Sequence, residues 1–320
     1  MRFSLTISSW QNLIVIFVFL LGVALLYSTN YLFCSDRVQN THIKPNSAVV
    51  QLQRIKHLNQ ECLQYKDEIQ AHDMRPKYHL FLMEPQTGLT YCHVPKVASS
   101  FWYSIFSKMF HGVPKKLDLT NLHSTMLDLS KGVEELPESA FKMIFVRHPI
   151  KRLVSAYVEK FVDVPDKHFV ASVQKFMQKQ KAAGTTNSGR PNKEITFPIF
   201  VKFVIHETRE NVISSGTQHW TPYTNLCQIC RSRLDFVGHL ETLNDDAELL
   251  IELFPALKDF VPTKTNRVKD KTEHNASLRD DKDRTRNYLA QLDPDTRKEL
   301  LQIFSVDCRL FGYDCYEFGS

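Results

Sequence analysis

The sequence predicts an α/β domain with a mostly parallel central sheet flanked by helices, preceded by one N-terminal transmembrane helix. The first observation is that, from about residue 78 onward, short apolar runs alternate with segments of helical periodicity. This alternation is typical of a parallel sheet whose strands are joined by helices. The second observation is that residues 3–33 contain no charged side chain, which favours a membrane span.

The composition excludes several classes of protein. The 320 residues include 40 Lys and Arg against 35 Asp and Glu, and 43% of them are hydrophobic. This apolar fraction excludes a largely disordered chain, and ten glycines without a Gly-X-Y repeat exclude collagen. The net charge of +5 permits an anionic ligand but gives no reason to expect nucleic acid. Seven cysteines are too sparse for a disulfide-framework protein, and their odd number leaves at least one free or bonded to another molecule.

The N-terminal apolar segment predicts a single membrane span. A spanning helix needs about 20 mostly apolar residues, which residues 10–33 provide. We therefore expect a cytosolic tail at residues 1–9, a signal anchor at 10–33, a lumenal stem at 34–77 and a lumenal catalytic domain at 78–320. A cleaved signal peptide and a buried helix of a soluble domain are the alternatives. Ala24-Leu25-Leu26 is a poor small-residue cleavage site, which favours the anchor.

The elements of the domain follow from the periodicity of its apolar residues. Compact apolar runs predict strands at residues 89–94, 141–146 and 235–237. Apolar residues at helical spacing predict helices at residues 100–110, 150–161, 197–205 and 243–254, with a weaker pattern at 51–69. Residues 179–193 and 263–286 are rich in glycine, proline or charge, and are expected to form surface loops.

The strongest local signal lies between the first predicted strand and the helix that follows it. The residues Tyr91-Cys92-His93-Val94-Pro95-Lys96-Val97-Ala98-Ser99-Ser100 indicate a strand, a tight loop and a helix N-terminus. Free backbone N–H groups and the positive end of the helix make such a junction an anion site. Lys96 adds a positive charge, and Ser99 and Ser100 add hydroxyl donors. The segment lacks the glycines of a nucleotide P-loop, and a surface lysine before a serine-capped helix is the alternative.

The second signal follows the predicted strand at residues 141–146. Arg147 stands at the carboxyl edge of this strand, where ligands bind in open α/β sheets. Its guanidinium can form a forked pair of hydrogen bonds with a phosphate. Ser155, about two turns into the next helix, can donate to the same group. The alternative is a structural ion pair at Arg147 and a tolerated helical serine at 155.

Together, the two segments resemble the phosphate-binding motifs of sulfotransferases that use 3′-phosphoadenosine 5′-phosphosulfate (PAPS). They are most similar to the Golgi carbohydrate sulfotransferases of the chondroitin 4-O-sulfotransferase and HNK-1 sulfotransferase family. The first motif is Cys92-His93-Val94-Pro95-Lys96-Val97-Ala98, and the second runs from Phe145 to Phe161. Leu226 to Leu243 and Asp307 to Tyr313 resemble further blocks of the family in the same order. Cys308 and Ser99-Ser100 depart from the residues usual in the family, which leaves the acceptor open.

The resemblance implies the PAPS-sulfotransferase version of the P-loop-like fold, with a role for each motif. Lys96 would neutralise the charge that builds on the bridging phosphate oxygen as sulfate is transferred. The loop residues Pro95, Lys96, Val97, Ala98, Ser99 and Ser100 would hold the 5′-phosphate. Arg147 and Ser155 would bind the 3′-phosphate, and no metal is needed.

The acceptor hydroxyl must lose a proton, so the reaction requires a general base. His123 is the favoured candidate, because it lies between the two phosphate motifs. Its pattern, His123-x-Thr125-x-Leu127-Asp128, is close to the H-x-S-x-L-D of the similar 2-O-sulfotransferases. An imidazole titrates near neutral pH, which suits this task. The rival candidates are His93, Glu134, Glu135 and His219.

The resemblance also implies a location and an acceptor. We expect a type II Golgi membrane protein whose catalytic domain faces the lumen and whose partners are a glycan acceptor and the membrane. The favoured acceptor is the 4-hydroxyl of N-acetylgalactosamine (GalNAc) in chondroitin or dermatan. The alternatives are HNK-1-type 3-O-sulfation of glucuronic acid, 4-O-sulfation of GalNAc on N-glycans, and a non-catalytic glycan-binding protein of the same fold.

Weaker signals concern modification and metals. Asn275 begins an Asn-Ala-Ser sequon for N-glycosylation, which is consistent with a lumenal domain. Cys227 and Cys230 form a single CxxC, so a local disulfide or unpaired thiols are favoured over structural zinc. Residues 206–210 lack the second histidine of a zinc protease motif. The mixed charges of residues 264–286 indicate a solvated loop, with contact to a polyanionic glycan as the alternative.

Overall fold

The computed structural model describes residues 45–66, 80–111, 136–182, 194–210, 216–227, 229–261 and 281–318. The predicted membrane span at 10–33 lies outside these residues, as do His123, Glu134, Glu135 and Asn275. Among the helices of the described ranges, none is long and apolar enough to cross a membrane.

A four-stranded sheet forms the centre of the domain. Its strands are β1 (Phe81–Met83), β2 (Leu89–Cys92), β3 (Phe141–Val146) and β4 (Phe236–His239). They lie in the order β1-β2-β3-β4, with β2, β3 and β4 parallel and β1 antiparallel to β2. The predicted α/β class and mostly parallel sheet are therefore confirmed. β1 has no counterpart among the predicted strands, because three residues are too few to show a period.

Helices precede, connect and follow the strands. They are α1 (Pro45–Gln64), α2 (Ser99–His111), α3 (Pro149–Tyr157), α4 (Lys167–Ala182), α5 (Phe197–Arg209), α6 (Leu243–Leu253), α7 (281–289) and α8 (Pro294–Leu310). The four strongly periodic segments of the sequence correspond to α2, α3, α5 and α6. The predicted helix 197–205 is four residues too short at its C-terminus, because α5 continues to Arg209. The predicted helix 150–161 divides instead into α3 and a π-helical turn, Val158–Asp163.

Two apolar clusters hold the elements together. One surrounds the sheet and includes Phe145 and Trp102, whose ring centroids lie 4.6 Å apart. The other joins α3, α5 and α8, and includes Tyr157, Phe200 and Trp220. Each large ring that is fully buried contributes about 1.5–3 kcal/mol of transfer free energy. The second cluster therefore anchors α3, whose N-terminal end follows the carboxyl end of β3.

The outer edge of β4 is covered by α1 rather than by another strand. The Gln51 side-chain amide donates to the Val237 carbonyl at 3.1 Å and accepts from the Val237 N–H at 3.2 Å. Arg54 donates to the same carbonyl at 2.9 Å and pairs with Asp246 of α6. An uncovered edge strand exposes unpaired backbone groups that promote aggregation. One helix thus satisfies the edge of the sheet, within the residues expected to form a stem.

Two predicted loops contain helical residues. Residues 281–286, predicted as part of a loop, form the first part of α7, and residues 179–182 form the last turn of α4. The buried face of α7 consists of Asp281, Thr285 and Leu289. Because two of these three side chains are polar, the search for apolar periodicity does not reveal the helix.

Among the described residues, three disulfides form: Cys62–Cys230, Cys92–Cys227 and Cys308–Cys315. The expectation that Cys227 and Cys230 pair locally or remain unpaired is therefore wrong. These two cysteines instead bind segments far away in the chain, because the short helices that carry them lie between the end of β2 and α1. Cys92 immediately precedes the lysine-containing loop, so its disulfide fixes the start of that loop.

Candidate active site

The loop after β2 carries Lys96 in an unusual backbone conformation. Lys96 has a φ of 74° and Ala98 a φ of 62°, both in the left-handed region. Non-glycine residues in this region cost about 1–3 kcal/mol and concentrate at functional sites. The Ala98 carbonyl accepts from the N–H groups of Phe101 and Trp102 at 3.1 and 3.2 Å, which starts α2. The first N–H groups of α2, at Ser99 and Ser100, therefore remain available to an anion.

The turn after β3 positions Arg147. His148 caps α3, since its Nδ1 accepts from the Ile150 N–H at 3.2 Å, while its Nε2 donates to the Asp314 carbonyl at 2.9 Å. Burial lowers the pKa of His148, in agreement with a neutral ring that both donates and accepts. The Tyr223 hydroxyl bridges the Arg147 N–H and carbonyl, at 3.0 Å each. Both backbone polar groups of Arg147 are therefore fixed by one side chain.

Parallel pairing brings the two motifs together. Cys92 of β2 lies opposite Ile144 of β3, so both strands end at the same edge of the sheet. An open cleft of about 270 Å³ lies there. It is lined by Pro95, Lys96, Ala98, Ser99, Ser100, Arg147, Ser155, Glu159, His219 and Leu240. Seven of the residues proposed to bind PAPS, together with His219, thus line one cleft. Val97 is the exception among the loop residues, because its side chain is fully buried in the core.

The side chain of Arg152 in α3 stabilises the loop that carries Lys96. Its guanidinium is fully buried and donates to the carbonyls of Pro95, Thr221 and Gln218 at 3.0, 2.7 and 2.5 Å. It also lies over the Tyr223 ring, 4.8 Å from the centroid. One side chain therefore connects the Lys96 loop to the segment that carries His219. This role of Arg152 was not predicted from the sequence, although the residue lies within the second motif.

Opposing influences act on the protonation of the Lys96 amine. Burial, followed by the positive charges of Arg147, Lys160 and Arg152, lowers the pKa of Lys96 to about 8. Lys96 also forms an ion pair with Glu159, a contact that favours the charged ammonium. Glu159 belongs to the π-helical turn after α3, and such turns occur frequently at functional sites. Glu159 was not predicted from the sequence, although it lies four residues after Ser155 and therefore on the same helical face.

Arg147 has spare capacity for an anion. Its Nη2 pairs with Asp281 of α7 at 2.6 Å, whereas its buried Nε has no hydrogen-bond partner among the described residues. Asp281 is 1% exposed and orients one arm of the guanidinium. A buried donor without a partner is costly, which indicates that a ligand completes the site. The ion pair, one of the two alternatives given by the sequence, is therefore present at Arg147, and the anion site stays a prediction.

The candidate bases are separated by their positions. His93 is 2% exposed, and its Nδ1 lies 2.6 Å from the Tyr103 hydroxyl behind the loop. It does not line the cleft. His219 does, and its ring meets Phe169 of α4 edge-on with centroids 5.6 Å apart. His123, Glu134 and Glu135 lie outside the described residues.

A mostly parallel sheet that brings a lysine loop and an arginine to one cleft is an arrangement suited to a phosphate-bearing ligand. Within the described residues, no group of three or more His, Cys, Asp or Glu could hold a metal ion. The chain belongs to the sulfotransferase family, whose family model matches residues 79–314.

Several curated relatives are carbohydrate sulfotransferases. The chain is 30% identical over 242 residues to carbohydrate sulfotransferase 14 of Danio rerio, covering 72% of this chain and 61% of the relative. It is 32% identical over 178 residues to the Homo sapiens protein of the same name, covering 53% and 45%. Carbohydrate sulfotransferase 8 of Mus musculus is 24% identical over 274 residues, covering 82% and 63%. The chain thus spans about half to two thirds of the length of these relatives. No solved structure gives a significant match.

The ion pair between Glu159 and Lys96 yields a first prediction. A carboxylate at this place competes with an anionic ligand for the ammonium group, so Glu159→Gln is expected to tighten binding of adenosine 3′,5′-bisphosphate about threefold. Isothermal titration calorimetry on the purified protein would measure the dissociation constant. Glu210→Gln removes an exposed acid at the end of α5 and serves as the control. Equal affinities in the two variants would contradict the competition.

Proposed function

We propose that the protein transfers the sulfuryl group of PAPS to a carbohydrate hydroxyl and releases adenosine 3′,5′-bisphosphate. The observation that carries this proposal is the single cleft shared by the Lys96 loop, Arg147 and Ser155. Membership of the sulfotransferase family and the names of the relatives support it. Following the resemblance of its motifs, we propose the 4-hydroxyl of GalNAc in chondroitin or dermatan as the acceptor.

The residues of the cleft fit the phosphates of PAPS. The left-handed backbone at Lys96 and Ala98, together with the start of α2, offers N–H groups to the 5′-phosphate. The unpartnered Nε of Arg147 and the hydroxyl of Ser155 suit the 3′-phosphate. When bound, PAPS supplies an activated sulfuryl group. Lys96 would then place its ammonium beside the bridging oxygen, where negative charge develops during transfer.

A base must take the proton of the acceptor hydroxyl. We retain His123 as the proposed base on the strength of its sequence pattern. Among the rivals, His219 is supported by its position in the cleft wall, and His93 is disfavoured by its burial against Tyr103. His123→Ala and His219→Ala, assayed for transfer and for binding of adenosine 3′,5′-bisphosphate, separate the roles. Loss of transfer with unchanged binding identifies the base.

We further propose that residues 10–33 anchor the protein in the Golgi membrane, with the cleft in the lumen and Asn275 glycosylated. The three disulfides support this location, because they persist in oxidising compartments. Glycosidase sensitivity of the protein expressed in mammalian cells, compared with that of Asn275→Gln, tests both the modification and the topology.

The acceptor is tested directly with the full-length protein. Radiolabelled PAPS is supplied with desulfated chondroitin, dermatan, heparosan and N-glycan acceptors, and the products are digested to disaccharides. Label in 4-sulfated GalNAc supports the proposal. Label in glucuronic acid or in N-glycans keeps the reaction but replaces the acceptor. Binding of PAPS without label in any product would favour a non-catalytic glycan-binding protein.

The titration of Lys96 predicts a pH dependence. Its pKa of about 8 means that the ammonium is present below this pH and is lost as the pH rises through it. Binding of adenosine 3′,5′-bisphosphate to the free enzyme should therefore weaken above pH 8, approaching about tenfold for each further pH unit. Lys96→Arg keeps its charge over this range, and the affinity that it retains should show no such decline. The same decline in Lys96→Arg would contradict the assignment.

A further inference from the structure

We propose that the exposed face of α4 is the docking surface along which the polyanionic acceptor chain extends from the cleft. The inference rests on the proposed function and adds a binding surface outside the cleft. α4 runs for 16 residues from Lys167 to Ala182 and contains no acidic residue. Its length is therefore about 24 Å.

The lysines of α4 form a defined stripe. Lys167, Lys175 and Lys179 are exposed, and their spacings of eight and four residues place them on one face of the helix. The opposite face is apolar, with Val173 fully buried and Phe169 and Phe176 packed against the aromatic cluster. The basic face is therefore directed to solvent by the packing of the helix. We call these three lysines the α4 stripe.

The lysines of the α4 stripe differ from other surface lysines in their contacts. Within the part of the chain that the structure describes, none of its lysines takes part in an ion pair or hydrogen bond. By contrast, Lys151 and Lys202 lie within 4 Å of the carboxylates of Glu317 and Asp293. A row of positive charges without partners favours an anionic ligand through electrostatic complementarity.

The stripe begins beside the candidate active site. Phe169, in the first turn of α4, meets the ring of His219 in the cleft wall, with centroids 5.6 Å apart. Lys160 belongs to the same π-helical turn as Glu159, and its ammonium lies 5.8 Å from the centroid of the Phe169 ring. A polymer whose reacting sugar occupies the cleft can therefore extend along α4. Charges spaced over about 18 Å suit a chain with repeated carboxylates rather than a short neutral glycan.

The test compares two triple variants with equal loss of charge. Lys167→Gln, Lys175→Gln and Lys179→Gln remove the α4 stripe. The control, Lys56→Gln, Lys258→Gln and Lys298→Gln, removes three exposed lysines that lie in α1, in the turn after α6 and in α8, respectively. Binding of full-length protein to immobilised chondroitin is measured against salt concentration, without donor. The KM values for chondroitin polymer, chondroitin disaccharide and PAPS are measured in the transfer assay.

The stripe variant should bind chondroitin at least about fivefold more weakly than the control variant, with a shallower salt dependence. Its KM should rise for the polymer and remain unchanged for the disaccharide and for PAPS. Equal binding by the two variants would overturn the inference and leave a solvated basic face. The binding measurement needs no turnover, so a protein without transferase activity would refute the proposed function while still testing the stripe.

Discussion

Replacing Lys96 with alanine is expected to reduce kcat/KM for sulfate transfer by about 100- to 1000-fold. Removal of a charged group aimed at developing negative charge costs about 2.7–4 kcal/mol of transition-state stabilisation. The fold should persist, because the described contact of the Lys96 ammonium is with Glu159 at the cleft surface. The measurement is the initial rate with labelled PAPS, together with a thermal melt of the purified variant.

Lys202→Ala provides the control for this prediction. Lys202 is an exposed lysine of α5 whose ammonium lies 3.9 Å from the Asp293 carboxylate. It should retain transfer activity and the melting temperature of the parent protein, because exposed ion pairs contribute little to stability. Transfer by Lys96→Ala at the rate of Lys202→Ala would remove Lys96 from the reaction and with it the proposed mechanism.

Replacing Arg152 with methionine is expected to destabilise the protein by roughly 5 kcal/mol. The methionine fills a similar volume but leaves the carbonyls of Pro95, Thr221 and Gln218 buried without their donor. Each such loss costs about 1–3 kcal/mol. Urea denaturation followed by near-ultraviolet circular dichroism would measure the free energy of unfolding. A loss below about 1 kcal/mol would show that the buried guanidinium is not a structural brace.

Arg152→Lys keeps this prediction measurable if the methionine variant does not fold. Lysine retains the charge and three donors but not the planar guanidinium, so an intermediate loss is expected. Because the Pro95 carbonyl loses its bond, the Lys96 loop should loosen as well. Hydrogen exchange at residues 96–100 should accelerate more than at β3, which distinguishes loss of the brace from uniform destabilisation.

The central elements of the fold could be predicted from the sequence, because they have strong apolar patterns. β3 is a compact apolar run buried from Met143 onward, and α3, α5 and α6 present regular apolar faces. α8 begins with Asp293, whose carboxylate accepts from the Thr296 N–H, and Pro294 follows it. These are strong start signals that a search for apolar spacing alone passes over. The buried polar face of α7 defeats the same search.

The candidate site could be predicted only as far as local chemistry and strand direction allow. Parallel strands end at one edge, so the meeting of Lys96 with Arg147 and Ser155 follows from the strand–helix alternation and is present in the cleft. The contacts of Arg152 and Asp281 join residues from different parts of the chain. No periodicity records such contacts, because tertiary packing alone determines which distant carbonyl or carboxylate a guanidinium meets.

The two nested long-range disulfides have a consequence for biosynthesis. Cys62 and Cys92 bond to cysteines that follow them by 168 and 135 residues. At translation rates of about 5–20 residues per second, each early thiol waits on the order of ten seconds for its partner. During that interval Cys62 can pair with Cys92, which would hold α1 and β2 in a non-native linkage. Native pairing then requires thiol–disulfide exchange. A host that oxidises and isomerises disulfides should therefore give a higher yield of natively paired protein than one that does not.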